Sequence, residues 1–121
     1  MQVIYISGPY SSPTEDGIEI NIDRARDAAQ RLWSMGFAVI CPHTNSAHMV
    51  GTHEVFLAGD FEIIRRLRPG DALYMLNGWT ASRGSRAERR LAKDMGLRVY
   101  HQKWDEPPET ERISTLEVAY A

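Results

Sequence analysis

Residues 71–88 read DALYMLNGWTASRGSRAE: a short apolar run, a loop rich in Gly and Ser, and a carboxylate just inside a predicted helix. In α/β proteins, ligands bind beyond the carboxyl ends of the strands, and a helix start offers free backbone N–H groups to an anion. Glu88 is the unexpected member of this stretch, because a carboxylate repels a bound anion. Its position suggests a separate task, such as nucleophilic chemistry.

The composition is that of one globular domain over residues 1–121. Apolar residues make up 43% of the chain and charged residues 25%. A formal net charge of −2 argues against a nucleic-acid-binding surface, which requires a basic excess. No apolar run is long enough to cross a bilayer, and the chain starts with a strand-like segment rather than a leader. We therefore expect a cytoplasmic protein with no nucleic-acid or membrane partner.

Cysteine and histidine are too sparse for a disulfide framework or a zinc centre. Cys41 is the only cysteine, so no internal disulfide can form. A small buried residue at the end of a strand explains it better than a reactive thiol does. The sequence predicts no metal site and no redox cofactor.

Apolar strand-like runs and amphipathic segments alternate on either side of residues 71–88. Apolar residues at helical spacing begin at Ile18, include Trp33, and stop before a cap at Gly36. The predicted strands are 2–7, 37–41, 71–76 and 97–101, and two further helices are predicted at 53–67 and 85–95. Residues 42–52 are expected to be irregular. In the tail, 107–121, the alternation over 113–120 fits either a fifth strand or a contact with a partner.

This order predicts an α/β fold: a doubly wound, flavodoxin-like or Rossmann-like parallel sheet of four to five strands flanked by helices. Three loops then open on one edge of the sheet. They are the loop with Gly8, Pro9 and Tyr10, the loop 43–48, and the loop 78–85. A ligand site is expected where the three loops meet.

Glu88 shares the inward stripe of the last helix with Leu91 and Ala92, which directs its side chain toward the sheet edge. A competing interpretation is local. Ser85-x-x-Glu88 fits a capping box, in which Glu reaches back to the backbone N–H at the helix start. Spacing alone favours the cap, whereas a second carboxylate across the pocket favours chemistry.

Asp60 is a candidate for that second carboxylate, because the helix that carries it precedes strand 71–76. Two carboxylates facing one small pocket are typical of glycosyl transfer, in which one attacks the anomeric carbon and the other manages protons. Alternatively, Asp60 is a surface carboxylate or is stabilised by the helix dipole. Asp71 follows Pro69-Gly70, so a turn role explains it best.

Several motifs together resemble a known family. They are SGPY at 7–10, Asn21 with the Ala-rich helix through Gly36, the CPH turn at 41–43, Gly-Asp-Phe at 59–61, and the DALYMLNGW…S-x-G-S-x-x-E pattern. In order and spacing they resemble the nucleoside 2-deoxyribosyltransferase-like superfamily, which includes the 2′-deoxynucleoside 5′-monophosphate N-glycosidases. The resemblance covers the chain up to about His101.

The resemblance implies roles for three residues. Glu88 matches the nucleophile that attacks C1′ and forms a glycosyl-enzyme intermediate. Asp60 matches the residue that handles the base or the sugar hydroxyl near the reacting bond. Tyr10 resembles the family's aromatic residue that helps to hold the nucleophile and the sugar, although it could equally pack over its loop.

Ser82 separates the two activities of the family. The transferases carry an Asp at this position for a free 5′-hydroxyl, whereas the monophosphate hydrolases carry a Ser for a 5′-phosphate. Hydroxyls and a helix N-terminus attract a phosphate that a carboxylate would repel. The expected ligand contacts, with Arg83 or Arg86 as added charge, are Ser7, Gly8, Pro9, Ser82, Gly84 and Ser85.

The chain also departs from the family pattern. Residues 65–70 add about one helical turn between Asp60 and Asp71, and the tail does not match, so Ser114 is a weak candidate. His43, Asn45 and His48 could contact the base, although a structural role is the usual one for a lone loop His. Because a neighbouring subunit often completes the pocket in this family, a homodimer or larger homo-oligomer is expected.

The resulting hypothesis is an N-glycosidase that splits a nucleoside or deoxynucleoside 5′-monophosphate into free base and sugar phosphate. The first alternative is a nucleoside 2-deoxyribosyltransferase, with the same chemistry and a base as acceptor. The second is a non-catalytic nucleotide-binding or sensing domain, in which Glu88 is only a helix cap.

Overall fold

The computed structural model describes residues 1–102, which form a parallel sheet with helices on both faces. The strands are β1 (Val3–Ser7), β2 (Ala38–Ile40), β3 (Ala72–Met75) and β4 (Arg98–His101), and the helices are α1 (Glu15–Ser34), α2 (Pro42–Asn45), α3 (His53–Arg65) and α4 (Arg83–Asp94). All neighbouring strands are parallel, in the order β2-β1-β3-β4. The predicted doubly wound α/β fold is confirmed. The proposals for the tail, 107–121, lie outside the described residues.

Strand β1 is central and separates two hydrophobic cores. Its side chains alternate between the faces of the sheet. Ile4 and Ile6 pack in the core beneath α1, whereas Tyr5 packs in the core that includes Ile64 of α3 and Ala92 of α4. Every residue of β1 after Val3 is buried. The two faces of the sheet therefore carry different side chains of β1. The polar side chains of β1 lie on one of these faces only.

Helix α1 covers one face with small residues. Its buried side chains are Ile22, Ala25, Ala28, Ala29 and Leu32. Trp33 does not join this stripe, because its side chain points outward and is 54% exposed, which corrects the sequence prediction. Within residues 1–102, no helix is both long and apolar enough to cross a membrane.

Local capping explains where the element boundaries differ from the sequence prediction. Helix α1 begins at Glu15 rather than Ile18, because the Thr14 hydroxyl accepts a hydrogen bond from the Gly17 N–H at 3.0 Å. The segment predicted as irregular contains the single turn α2, which Pro42 starts at a position where no N–H is needed. A 3₁₀ turn at Trp79–Ala81 precedes α4.

The strand order places a cleft between β1 and β3. The connections from these two strands leave toward opposite faces of the sheet, as is usual at the switch point of a doubly wound fold. The loops after β1 and β3 therefore separate at their carboxyl ends and leave room for a ligand. Gly8 permits a close approach there, because an added Cβ would lie 2.7 Å from the Leu76 side chain.

Asp71 joins β1 and β3 at the end of the sheet opposite the cleft, in agreement with its predicted role in the turn. One carboxylate oxygen accepts from the Arg68 N–H at 2.8 Å, and the other accepts from the Val3 N–H at 2.9 Å. The side chain is buried, with 8% exposure. It therefore joins the turn before β3 to the start of β1.

Replacing Asp71 with Ala should lower the free energy of unfolding by about 2 kcal/mol, because two partly buried N–H groups lose their acceptor. Asp71→Asn, which keeps one acceptor oxygen, should lose less. Urea unfolding measures both. Asp94→Ala, at the exposed end of α4, is the matched control and should change stability by less than about 0.5 kcal/mol. Equal stability of Asp71→Ala and Asp94→Ala would show that Asp71 does not stabilise the junction between the turn before β3 and the start of β1.

Candidate active site

A cavity of about 650 Å³ lies at the carboxyl ends of β1 and β3. Its walls come from the loop after β1, from α2 and the loop after it, from α3, and from the start of α4. We call it the central cavity. It contains both carboxylates predicted from the sequence, Asp60 and Glu88, together with Ser82, Gly84 and Ser85.

Glu88 is held at the base of the central cavity by two hydroxyl groups of β1. The Ser7 hydroxyl donates to Oε1 at 2.8 Å, and the Tyr5 hydroxyl donates to Oε2. Glu88 itself is 7% exposed. Tyr5 and Ser7 are two residues apart on a strand, so they present their hydroxyls to the same face of the sheet. Both carboxylate oxygens therefore have a donor from the central strand.

The capping-box interpretation of Glu88 is wrong. The residue that caps α4 is Ser82, whose hydroxyl accepts from the Ser85 N–H at 3.2 Å. Helix α4 begins at Arg83, which makes Ser85 its third residue and Glu88 its sixth. A capping Glu sits at the third position. Glu88 is one turn too far into the helix to cap it, and its hydrogen bonds go to the sheet.

Burial gives the two carboxyls unusual acidities. Burial raises the pKa of Glu88 from 4.5 to about 7, the hydrogen bonds from Tyr5 and Ser7 oppose that rise, and the charge of Asp60 adds to it. Burial also raises the pKa of Asp60 from 3.8 to about 6. The pKa of Tyr5 is raised far above its usual range by burial and by the charge of Glu88, so its hydroxyl remains a donor. Both carboxyls therefore titrate closer to neutral pH than exposed carboxyls do.

The start of α4 forms the polar end of the central cavity. Ser85 is 1% exposed, and its hydroxyl has no hydrogen-bond partner among residues 1–102. Buried hydroxyls without partners are rare, because they lose their hydrogen bonds to water. The first-turn N–H groups also lack backbone partners within the helix, although that of Ser85 is capped by the Ser82 hydroxyl, and the helix dipole adds positive potential. This end of the cavity is suited to an anion.

The two arginines expected to supply charge have different positions. Arg83 lines the central cavity. The Arg86 side chain instead donates to the Thr80 carbonyl at 3.0 Å and braces the 3₁₀ turn before α4. Only Arg83 is therefore placed to approach a ligand in this cavity.

Tyr10 does not hold Glu88 as the resemblance implied. It lines the central cavity, is 37% exposed, and meets the His43 ring edge-on with 6.0 Å between ring centroids. Within the described part of the chain, no hydrogen bond joins it to Glu88, and that contact belongs to Tyr5. Sequence reasoning missed Tyr5 because a strand tyrosine is typical of a core. The available signal was the spacing of Tyr5 and Ser7, two hydroxyls on one face of a buried strand.

His43 fixes the loop after β1. Its Nε2 lies 3.2 Å from the Gly8 carbonyl and 2.9 Å from the Pro9 carbonyl, so this nitrogen carries a proton and donates. Burial lowers the pKa of His43, which keeps the ring neutral near pH 7. The ring is 5% exposed, and its Nδ1 has no partner in the described chain. A structural role thus explains the position of His43 in the cavity wall.

The other two candidates of the second loop lie elsewhere. Asn45 is exposed and is absent from the wall of the central cavity. His48 points away, with its Nε2 2.9 Å from a Glu19 carboxylate oxygen on α1. Neither residue is placed to contact a base in this cavity.

A family model described as a domain of unknown function, DUF4406, matches residues 2–101. The chain belongs to the DUF4406 family. The match extends from β1 to β4 and includes every residue of the central cavity. No curated protein is significantly similar to the chain.

The wall of the central cavity in this DUF4406 domain also has an apolar part. Phe56 and Leu57 of α3, together with Pro42 and Met49, line it. The cavity thus offers apolar side chains to a flat or apolar group, polar groups to an anion, and two carboxylates. Among residues 1–102, no group of three His, Cys, Asp or Glu side chains is arranged to hold a metal ion.

Replacing Glu88 with Gln should flatten the pH dependence of folding stability. Because the pKa of Glu88 rises from 4.5 to about 7 on folding, ionising this carboxyl destabilises the folded state relative to the unfolded state. The stability that the protonated Glu88 carboxyl contributes is fully present below pH 4.5. The wild type loses it as the pH rises through 7, and the loss amounts to about 3 kcal/mol. Urea unfolding across this range measures the loss, which Glu88→Gln should lack.

Glu54→Gln is the control for that measurement, because Glu54 is exposed on α3. It should keep the wild-type slope. The raised pKa of Asp60 adds a dependence of the unfolding free energy on pH, with the same sign, to the wild type and to both variants. If the plot of unfolding free energy against pH for Glu88→Gln runs parallel to that of the wild type, ionisation of Glu88 does not destabilise the folded protein.

Tyr5→Phe should raise the pKa of Glu88 further, because the hydrogen bond from Tyr5 favours the charged carboxylate. Carbon-13 NMR titration of the Glu carboxyl groups measures the change. Tyr10→Phe removes a hydroxyl from the same cavity without removing a contact to Glu88 and should leave its titration in place. If Tyr10→Phe shifts the titration and Tyr5→Phe does not, the two tyrosines have been assigned the wrong way round.

Proposed function

We propose that this protein hydrolyses the N-glycosidic bond of a nucleoside 5′-monophosphate, giving free base and sugar phosphate. The observation that carries the proposal is the Glu88 carboxylate, buried, hydrogen-bonded through both oxygens, and open to a cavity that it shares with Asp60. A carboxylate fixed in this way suits attack on a sugar carbon.

The polar end of the central cavity supports a phosphorylated substrate. Ser82 and Ser85 line it at the start of α4, and the hydroxyl of Ser85 has no partner within residues 1–102. A 5′-phosphate bound there would receive hydroxyl and backbone N–H donors. One helical turn separates Ser85 from Glu88, so the phosphate would position the sugar over the carboxylate. The apolar wall with Phe56 and Leu57 would receive the base.

The first step is a displacement at C1′. Glu88 attacks C1′ as the bond from C1′ to the base nitrogen breaks, and the electron pair of that bond leaves with the base. Asp60 gives its proton to the departing nitrogen. The products of this step are free base and a glycosyl ester of Glu88.

The second step releases the sugar. The Asp60 carboxylate now takes a proton from water as the water oxygen adds to C1′, and the ester bond to Glu88 breaks. Sugar phosphate leaves, and Glu88 and Asp60 return to their starting protonation states. The alternation of Asp60 between acid and base follows from microscopic reversibility.

The hydrogen bonds of Glu88, rather than the order of the two pKa values, support this division of roles. The Tyr5 and Ser7 hydroxyls donate to Glu88 and favour its ionised, nucleophilic form. Burial nevertheless raises the pKa of Glu88 to about 7, above the value of about 6 for Asp60, so only a fraction of the protein combines an ionised Glu88 with a protonated Asp60. Activity should therefore fall at acid pH, as Glu88 becomes protonated, and at alkaline pH, as Asp60 loses its proton.

A panel of ribonucleoside and deoxyribonucleoside 5′-monophosphates, incubated with the protein and separated by chromatography, tests the proposal. Free base and sugar phosphate are expected, and Glu88→Gln should abolish them, with a loss of at least about 10³-fold in kcat. Ser82→Ala should raise KM for monophosphates more than for nucleosides. Arg86→Gln, which changes a side chain turned away from the cavity, should retain turnover.

Two results would replace the proposal. Adding a second free base to each reaction reveals base exchange, and exchange without net hydrolysis would identify a deoxyribosyltransferase. Tight binding of a monophosphate with no product from any member of the panel would instead identify a nucleotide-binding domain without turnover.

A further inference from the structure

Asn21 of α1 has no part in the proposed hydrolysis, yet its side chain reaches a loop that borders the central cavity. Its Nδ2 donates to the Tyr10 carbonyl at 3.0 Å and lies 3.5 Å from the Ser11 carbonyl. Residues 8–11, which we call the β1 loop, all line the central cavity. Asn21 is not part of the cavity wall, so it can affect a ligand there only through the β1 loop.

The β1 loop has no backbone support of its own. Within residues 1–102, no backbone–backbone hydrogen bond involves its N–H or carbonyl groups. A loop without such bonds samples many conformations unless side chains hold it. Pro9 of the loop packs close to the loop after β3, because a Cβ added at Gly78 would lie 3.3 Å from the Pro9 Cγ. The position of the β1 loop therefore depends on side-chain contacts with other elements.

Two side chains hold four successive carbonyl groups of the β1 loop. His43 of α2 donates through Nε2 to the first two, those of Gly8 and Pro9. Asn21 of α1 holds the next two. Helices α1 and α2 also contact each other, so both anchors belong to one packed support. Carbonyl groups only accept hydrogen bonds, so the side chain at either anchor must supply a donor.

We infer that Asn21 is a positioning residue for nucleotide binding, which holds Tyr10 and Ser11 in the wall of the central cavity before the ligand arrives. The inference rests on the proposed function for the identity of that ligand. A loop that is already ordered loses less conformational entropy on binding, which raises affinity. Neither reacting carboxylate lies in the loop, because Glu88 is held by β1 and Asp60 belongs to α3. Releasing the loop should therefore weaken substrate binding and spare the chemical step.

Asn21→Asp tests the inference, because it keeps the size of the side chain and replaces the amide donor with an acceptor. In the whole chain it should raise KM for a nucleoside 5′-monophosphate about tenfold and leave kcat within about twofold of the wild-type value. A rise of about tenfold corresponds to a released loop that holds the observed position about one-tenth of the time. Asn21→Ala, which removes the donor without adding a charge, should behave in the same way.

Asn45→Asp is the matched control, since it makes the same change of charge at an exposed asparagine of α2 outside the central cavity. It should keep the wild-type KM. Amide NMR order parameters of Tyr10 and Ser11 in the free protein report on the loop itself. They should be about 0.85 in the wild type and in Asn45→Asp, and below about 0.6 in both Asn21 variants.

Three results would overturn the inference: the β1 loop stays ordered in Asn21→Ala, the loop becomes mobile while KM keeps its wild-type value, or KM rises in Asn21→Asp alone, which would reflect only the added charge. The proposed function can fail separately. If the chain binds a monophosphate without hydrolysing it, the Kd from calorimetry takes the place of KM, and a Kd that depends on Asn21 keeps its role without hydrolysis. A chain that binds none of the monophosphates contradicts both proposals.

Discussion

The contact of Glu88 with Tyr5 and Ser7 is the constraint on which the rest of the site depends. A carboxylate taken out of water loses several kcal/mol of hydration unless donors replace it. Here the replacement comes from two hydroxyls on the central strand, one for each oxygen. The arrangement requires β1 to lie in the middle of the sheet and α4 to pack directly over it. The doubly wound topology satisfies both requirements at once.

The same packing explains why the wall of the central cavity has polar and apolar parts. Helix α4 starts at the cavity wall, so its first turn delivers backbone N–H groups and the hydroxyl of Ser85 to that wall. Helix α3 packs against α4 and contributes Phe56 and Leu57. Asp60 lies on α3, where burial is enough to raise its pKa to about 6. The polar and apolar parts of the wall thus follow from which part of each helix reaches the cavity.

Periodicity was sufficient to predict the strand and helix order and the inward direction of Glu88, whereas Ser82 was indicated by the resemblance of the motifs to a known family. Contacts distant in the sequence were not predictable in the same way. Tyr5 looked like a core residue because strand tyrosines usually are, and Tyr10 looked functional because it resembles the aromatic residue that holds the nucleophile in the family whose motifs the chain resembles. The single turn α2 is too short to show a helical period. His43 and Asn45 both lie in α2, and because residues two positions apart on a helix do not share a face, Asn45 is exposed while His43 is buried.

The alternation of side chains along β1 makes the site sensitive to errors in chain length. Inserting or deleting one residue before Tyr5 would exchange the two faces of the strand. Both hydroxyls would then enter the apolar layer formed with Ala25 and Leu32, while isoleucine faced an unsupported carboxylate. A one-residue shift of β1 would thus destabilise both faces of the sheet. A change in the length of β1 would therefore disrupt the site more severely than a single conservative substitution within the strand.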